Sequence, residues 1–143
     1  MQSTKEKPSA YPKTASCSCG KLTVTVKEQP KFVHACSCVD CQRRSGSAFS
    51  YTAFFPEAAA TISGQPQPWR NSSSDAGRWS ETNFCPVCGV TVFMTLEALP
   101  GMICVPAGGF GDRDFPKPGK MYWSSSRHHW LDVPDGIEAV ERQ

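Results

Sequence analysis

The chain has 143 residues, a net charge of +2, 12 prolines and 11 glycines. This length suits one loop-rich domain with a hydrophobic core of its own. A nearly neutral charge argues against the concentrated basic face of nucleic-acid binders, so we do not expect a nucleic-acid partner.

The start of the chain and its cysteines bear on the cellular compartment. The polar first residues lack the apolar segment of a signal peptide, and no apolar run approaches the ~20 residues of a membrane span. We therefore expect a cytoplasmic protein without membrane contact. In a reducing compartment the eight cysteines are expected to bind metal rather than form disulfides. Their even number leaves a secreted, disulfide-bonded protein as the alternative.

The first half of the chain predicts short strands after a polar start. Residues 1–15 are polar with two prolines, and we predict a disordered or extended tail there. Alternation of β-branched residues predicts a strand over residues 22–26, and a second strand over 47–55 ends at a proline. Residues 57–60 fit a single helical turn, whereas residues 60–63 fit a short strand, and both interpretations stay open.

The second half predicts further strands joined by loops. Strands are predicted over residues 78–84, 90–96, 102–105 and 120–124, and loops over 65–68, 71–77 and 108–119. No periodicity supports a helix longer than about two turns. We expect a mainly β single domain over residues 16–135, followed by a polar tail over 136–143.

Two short cysteine pairs have the form of metal-binding turns. Cys85 and Cys88 form a Cys-x-x-Cys-Gly pattern, whose glycine can take the positive φ of a tight exit. Cys17 and Cys19 are two residues apart, so in an extended segment their side chains point the same way. Two pairs complete a Cys₄ tetrahedron, the closed arrangement of structural zinc.

Three further cysteines, Cys36, Cys38 and Cys41, lie within six positions. Three protein ligands with one open position are typical of catalytic zinc, and we predict such a site here. Alternatively, His34 or Cys104 supplies a fourth ligand and makes this site structural too. The spacing of Cys38 and Cys41 also fits a redox Cys-x-x-Cys motif.

Candidate substrate contacts come from arginine and tryptophan. Arg43 and Arg44 directly follow the three cysteines, and their guanidinium groups could bind an anionic substrate. A solvated pair after a turn is the alternative for both. The indole N–H of Trp130 could position a substrate, although a tryptophan also serves as core or as the wall of a groove.

This cysteine pattern resembles that of the glutathione-dependent formaldehyde-activating enzymes, a family that includes centromere protein V. The matching segments are residues 17–20, 34–46 and 84–89, with a weaker match at 120–122 and Trp130. The resemblance implies antiparallel sheets linked by structural zinc, in a Mss4-like β-tent fold. It also implies two Zn²⁺ ions, a structural one on Cys17, Cys19, Cys85 and Cys88 and a catalytic one on Cys36, Cys38 and Cys41.

The activity that the resemblance implies is that of a carbon–sulfur lyase. Such an enzyme joins a thiol, glutathione, to formaldehyde and gives S-hydroxymethylglutathione. The chain departs from many members at residues 108–112, which replace a Gly-Thr-Leu-Asp-like stretch, and at Lys120, which replaces a histidine. We expect both departures to lie near the substrate cleft.

Two other functions are compatible with the same cysteines. The open zinc site could serve other small-molecule chemistry, such as hydration, elimination or isomerisation in a specialised pathway. A zinc-stabilised module that binds a partner without catalysis would instead have two saturated metal sites.

Overall fold

β-Strands dominate the fold. The computed structural model describes residues 10–72 and 77–143, and within them it has eleven strands and one short α-helix. The strands are β1 (Lys13–Ser16), β2 (Thr23–Val26), β3 (Phe32–Cys36), β4 (Ser50–Pro56), β5 (Ala60–Ser63), β6 (Gln67–Asn71), β7 (Ser80–Phe84), β8 (Thr91–Leu96), β9 (Met102–Pro106), β10 (Lys120–Tyr122) and β11 (Glu138–Ala139). The helix α1 spans Val39–Ser45, and 3₁₀ turns cover Glu57–Ala59, Ala107–Phe110 and Ser124–Ser126. The prediction of a mainly β fold is confirmed.

The strands form two sheets. The smaller sheet has the order β1-β2-β5, and the larger one has the order β11-β10-β3-β4-β9-β8-β7-β6. Most pairs are antiparallel, as expected, but β10 lies parallel to both β3 and β11. Parallel neighbours need a long connection between them, which the chain from β3 to β10 supplies. The larger sheet is therefore mixed at this end.

Alternation along the strands gives the larger sheet two different faces. Ala53 and Phe55 of β4 are fully buried and share one core cluster with Val24 and Val26 of β2. This cluster joins the two sheets. Truncating Phe55 to alanine would remove a large buried ring, which typically costs about 3–5 kcal/mol of unfolding free energy.

The other face of the larger sheet carries a second, smaller cluster. Phe54 of β4 is paired with Cys104 of β9, which is paired in turn with Met94 of β8. These three side chains are almost completely buried. Because Phe54 lies between Ala53 and Phe55 along the strand, this cluster faces away from the smaller sheet.

Both predicted tails contain strands. β1 occupies Lys13–Ser16 and buries Ala15 completely, so residues 13–15 are extended, and the alternative of a disordered tail is wrong for them. Residues 1–9 lie outside the described part of the chain. At the other end, Glu138–Ala139 pairs with β10 inside the predicted polar tail. In both cases the partner is the neighbouring strand in the chain, but each tail segment is too short and polar to show the alternation that predicts a strand.

The predicted loop over residues 65–68 is wrong in its second half. Gln67 and Pro68 belong to β6, and proline is tolerated there because β6 is an edge strand of the larger sheet. Residues 47–49 precede β4 rather than belonging to it. Of the predicted loop over 71–77, Asn71 instead ends β6, and residues 73–76 are outside the described part.

Residues 57–63 combine both of the interpretations that the sequence left open. A 3₁₀ turn over Glu57–Ala59 leads directly into β5. The remaining predicted strands begin and end within two residues of the observed ones. No helix in the described part of the chain is long and apolar enough to cross a membrane.

Candidate metal centres and the adjoining cleft

The first candidate centre joins two turns of the same design. The backbone N–H groups of Cys17 and Cys85 donate to the carbonyls of Leu22 and Val90, at 3.0 and 2.9 Å. The glycine after each cysteine pair has a φ of 81° or 80°, which lets the chain leave the turn. One turn connects β1 with β2 and the other connects β7 with β8, so the centre links the two sheets.

The four sulfurs of these turns converge. All lie within 4.8 Å of one another, and the Sγ of Cys19 is 3.6 Å from those of Cys17 and Cys85. With Zn–S bonds of about 2.3 Å, the sulfurs of a tetrahedral site lie about 3.8 Å apart, so the arrangement fits zinc. The backbone amides of Leu22 and Val87 also donate to Cys17 and Cys85, at 3.3 and 3.4 Å.

The backbone of the turns favours a thiolate at Cys88. Hydrogen bonds from the backbone N–H groups of Val90 and Cys19 lower the pKa of Cys88 to about 6. The thiolate is the form that binds metal. Cys17 and Cys85 are buried, whereas Cys19 is exposed. The geometry therefore suits a closed metal site whose ligands are held by the backbone.

The second candidate centre is built at the start of α1. Cys36 ends β3, Cys38 is the N-cap of α1 and Cys41 lies in its first turn. The Sγ of Cys38 accepts a hydrogen bond from the Cys41 backbone N–H at 3.3 Å. The Nε2 of Gln42 donates to the Ser37 carbonyl at 2.7 Å and fixes the helix to the preceding turn. The three sulfurs lie within 4.8 Å of one another and are half-buried.

The polar groups around these sulfurs favour ionisation of one of them. Hydrogen bonds from the thiols of Cys36 and Cys38, the Ser50 hydroxyl and the charge of Arg44 lower the pKa of Cys41, although burial opposes the shift. The Nη2 of Arg44 lies 3.8 Å from the Sγ of Cys41. Hydrogen bonds with Cys38 and Cys41 instead raise the pKa of Cys36. Arg44 thus lies where it offsets negative charge on the cysteines.

Neither alternative fourth ligand joins the three sulfurs. His34 and Cys104 line the same cleft but are outside the group of mutually close ligand atoms. The His34 ring stacks on Phe32 at 4.8 Å and meets the edge of Tyr122 at 4.8 Å. Burial raises the pKa of Cys104 to about 12, which disfavours its thiolate. The described residues therefore offer three protein ligands at this centre.

A cleft of about 580 Å³ opens beside the second centre. Its floor consists of alternate residues from β3, β4, β9, β8, β7 and β6, on the face of the larger sheet opposite the main core. Helix α1 forms a wall and contributes Asp40, Cys41, Arg43 and Arg44. A volume of this size suits a small-molecule ligand.

The three predicted substrate contacts lie in different places. Arg43 and Arg44 both line the cleft. Trp130 does not line it; this side chain is 71% exposed and lies beside a separate, shallower depression of about 560 Å³, together with Val39 and Arg43. The structure therefore brings both arginines, and not Trp130, to the three cysteines.

Several cleft residues were not identified from the sequence. Ser50, Phe54, Met94 and Leu96 lie on strands whose order in the sheet is not encoded locally. Alternation indicates which residues share a face of a strand, but it does not indicate which strands are neighbours. Only the observed order β4-β9-β8 brings Phe54 close to Met94.

The two departures from the family pattern lie apart from each other. Residues 108–112 pack against β1 and do not line the cleft, so their expected position is wrong: Asp112 accepts a hydrogen bond from Lys13 at 2.5 Å, and a Cβ on Gly109 would lie 3.4 Å from that of Ala15. The Nζ of Lys120 is 6.0 Å from the ring centre of Tyr122, which does line the cleft.

Known proteins have sequences similar to this chain. A protein from Sordaria macrospora is 28% identical over 102 residues and one from Aspergillus terreus is 29% identical over 83 residues; both are named provisionally as glutathione-dependent formaldehyde-activating enzymes. The alignments cover 64% and 57% of this chain but only 41% and 42% of those proteins, so the chain spans less than half of their length.

A solved structure shares the fold. The crystal structure of a Rhodobacter sphaeroides protein superimposes with a TM-score of 0.54 and 17% identity, over 67% of this chain and 85% of that one. The sequence profile of the family described as glutathione-dependent formaldehyde-activating enzyme matches residues 12–126. The chain therefore belongs to the family of glutathione-dependent formaldehyde-activating enzymes.

Proposed function

We propose that this protein is a zinc-dependent carbon–sulfur lyase that joins a thiol such as glutathione to formaldehyde or a related small aldehyde. The family name supports the substrate class. The observation that carries the proposal is the position of Cys36, Cys38 and Cys41, which lie within 4.8 Å of one another beside a cleft that Arg43 and Arg44 also line.

In this proposal the two cysteine groups hold two Zn²⁺ ions with different roles. A structural ion binds Cys17, Cys19, Cys85 and Cys88, and a catalytic ion binds Cys36, Cys38 and Cys41. A zinc with three protein ligands supplies Lewis-acid charge and an open position for a reactant.

The side chains around the cleft would bind the anionic thiol and position it. Glutathione carries carboxylates, and we assign the guanidinium of Arg43 to bind one of these carboxylates. Arg44 and Ser50 act on the sulfur of Cys41 and hold it in place. The sheet floor shields the reactants from water on one side.

The proposed reaction needs no further reactant. The thiol sulfur forms a bond to the carbonyl carbon, the carbon–oxygen double bond becomes single, and the thiol proton ends on that oxygen. The reverse reaction breaks the carbon–sulfur bond. The proposal includes a cytoplasmic location and a small-molecule partner, without a nucleic-acid partner.

Exchange spectroscopy by proton NMR tests the proposal, because thiol and formaldehyde also combine without enzyme. The zinc-loaded chain should speed the exchange between glutathione and S-hydroxymethylglutathione. Cys38→Ser should return the rate to the background, whereas Val39→Ala, next to it on α1 and 53% exposed, should retain the acceleration. An unchanged rate in folded Cys38→Ser would refute the proposal.

A cobalt-substituted protein separates this enzyme from a non-catalytic binding module. An open second site should change its visible absorption when glutathione is added. A spectrum that does not respond to thiols would favour the binding module.

A further inference from the structure

The cleft continues well beyond the three cysteines. One row of directly paired residues crosses its floor through Phe54, Cys104, Met94, Thr82 and Trp69. These residues come from five adjacent strands, β4, β9, β8, β7 and β6. Neighbouring strands lie about 4.8 Å apart, so the row extends over roughly 19 Å.

The floor changes in polarity along the sheet. Near the cysteines it is polar, since Ser50 is paired with Cys36 and Thr52 with His34. Its middle is apolar and consists of Phe54, Met94, Leu96 and Cys104. Beyond this apolar floor the hydroxyl groups of Ser80 and Thr82 make the lining polar again.

A one-carbon aldehyde leaves the apolar floor unused. Ser50, which is paired with Cys36, and Phe54 are four residues apart on β4, which corresponds to about 13 Å along the strand. A reactant held at the cysteines therefore reaches the apolar floor only if it carries several further carbons. Each methylene buried on such a surface strengthens binding by about fourfold.

The charges of the cleft indicate which reactant carries those carbons. Arg43 and Arg44 outnumber Asp40 on the wall formed by α1 and make it positive, and Arg43 suits a carboxylate of an anionic thiol there. The floor residues Phe54, Met94, Leu96 and Cys104 are all uncharged, and the charge that acts on Cys104 comes from Arg44 on the wall. The charged thiol is therefore better placed against α1, and the floor is left for the carbonyl compound.

We propose that the carbonyl substrate carries an apolar chain or ring of several carbons, which lies on the floor formed by Phe54, Met94 and Leu96, over the fully buried Cys104. This inference rests on the proposed function and specifies its substrate class. Formaldehyde then reacts at the cysteines without contacting most of the binding surface of the cleft.

Binding of unreactive carbonyl analogues tests this inference directly. In calorimetric titrations of the zinc-loaded full chain, hexanamide should bind about tenfold or more tightly than acetamide, which lacks four of its methylenes. Equal affinities for the two amides would overturn the inference.

Two leucines of the same cluster provide matched variants. Leu96 lines the cleft, whereas Leu99 packs against the cluster without lining it. Leu96→Trp should remove most of the preference for hexanamide, and Leu99→Trp should keep it. Leu96→Gln keeps the size but adds polarity, and it should also weaken the preference for hexanamide. It replaces Leu96→Trp as the test if the tryptophan variant fails to fold. A preference that survives both Leu96 variants would contradict the assignment of the floor.

Turnover separates this inference from the proposed function. With glutathione, kcat/KM should rise from propanal to butanal and hexanal, whose carbonyl groups have similar intrinsic reactivity, and a flat or falling series would overturn the inference while leaving the lyase activity established. Tight binding of hexanamide without turnover of any aldehyde would support the apolar subsite and refute the proposed lyase activity.

Discussion

The two cysteine centres differ in what holds their sulfurs in place. In the centre formed by Cys17, Cys19, Cys85 and Cys88, two backbone turns of the same design present four sulfurs, and two of these cysteines are buried. In the centre formed by Cys36, Cys38 and Cys41, a strand end and a helix start present three half-buried sulfurs beside a cleft. The first arrangement suits a structural site that links the two sheets, and the second suits a site that a reactant can reach.

The largest expected effect is the loss of stability when a ligand of the sheet-linking centre is replaced. Cys85→Ser removes a buried ligand from the centre that links the sheets, and we expect the variant to lose its cooperative fold. Structural zinc contributes about 10–16 kcal/mol of binding free energy in small domains, as much as the whole stability of a typical protein, which is about 5–15 kcal/mol. Thermal melts followed by circular dichroism measure this.

The control for this variant lies in the same turn. Val87→Ala changes a side chain that is 62% exposed, and it should melt like the wild type. A wild-type melting curve for Cys85→Ser would remove the structural role that we assign to its centre.

The second prediction concerns the other centre. Cys38→Ser should keep the fold, because the ligands of the sheet-linking centre remain, but it should lose about a hundredfold or more in exchange rate. Even outer partners of a metal site typically contribute about 10–100-fold to affinity or activity. Melting curves and NMR exchange rates on one preparation test this. If Cys38→Ser unfolded as completely as Cys85→Ser, the division of roles would fail.

The third prediction separates the two arginines of α1. Arg44 contacts the Cys41 sulfur, so Arg44→Gln should weaken metal binding at this centre by about 10–100-fold in a chelator competition. Arg43→Gln should leave metal affinity unchanged and raise the KM for glutathione by about tenfold or more, since it removes a charged hydrogen bond. Identical effects of the two variants would show that their roles are not distinct.

The smallest expected effect lies far from both centres. Hydrogen bonds from Lys13, at 2.5 Å, and from the Asp114 backbone N–H lower the pKa of Asp112 in the folded chain. Because this pKa is lowered, the ionised carboxylate stabilises the fold at pH values above the ordinary pKa of an aspartate. This stabilisation is lost as the pH falls through the lowered pKa. Asp112→Asn should therefore be less stable than the wild type at neutral pH.

This difference should begin to shrink below about pH 4, where the Asp112 carboxyl of the unfolded chain becomes protonated, and it should be lost once the pH falls below the lowered pKa of the folded chain. Urea unfolding at several pH values measures it. A difference that stays constant with pH would show that the ion pair is not its cause.

The sequence was most informative where function depends on local spacing. The turns around Cys17 and Cys85 and the start of α1 are each built within a few residues, so the grouping of their cysteines could be predicted before any strand was placed. Strand pairing across the sheet was not accessible in this way. The pairing of Cys36 with Ser50, and the row that joins Phe54 to Trp69, depend on the strand order.

The N-terminal and C-terminal tails show the same limit of prediction from sequence. Residues Lys13–Ser16 and Glu138–Ala139 are polar in sequence, and they become strands because β2 and β10 offer free edges. Trp130 was singled out by residue type, but its position beside a separate depression follows from the path of the chain after β10.

The most direct test of the account is the zinc content of freshly purified chain, measured by elemental analysis on the wild type and on Cys38→Ser. Four ligands at one centre and three at the other predict two zinc ions per chain in the wild type and one in the folded variant. The same content in both proteins, or no zinc in the wild type, would contradict the assignment of the three cysteines to a metal site.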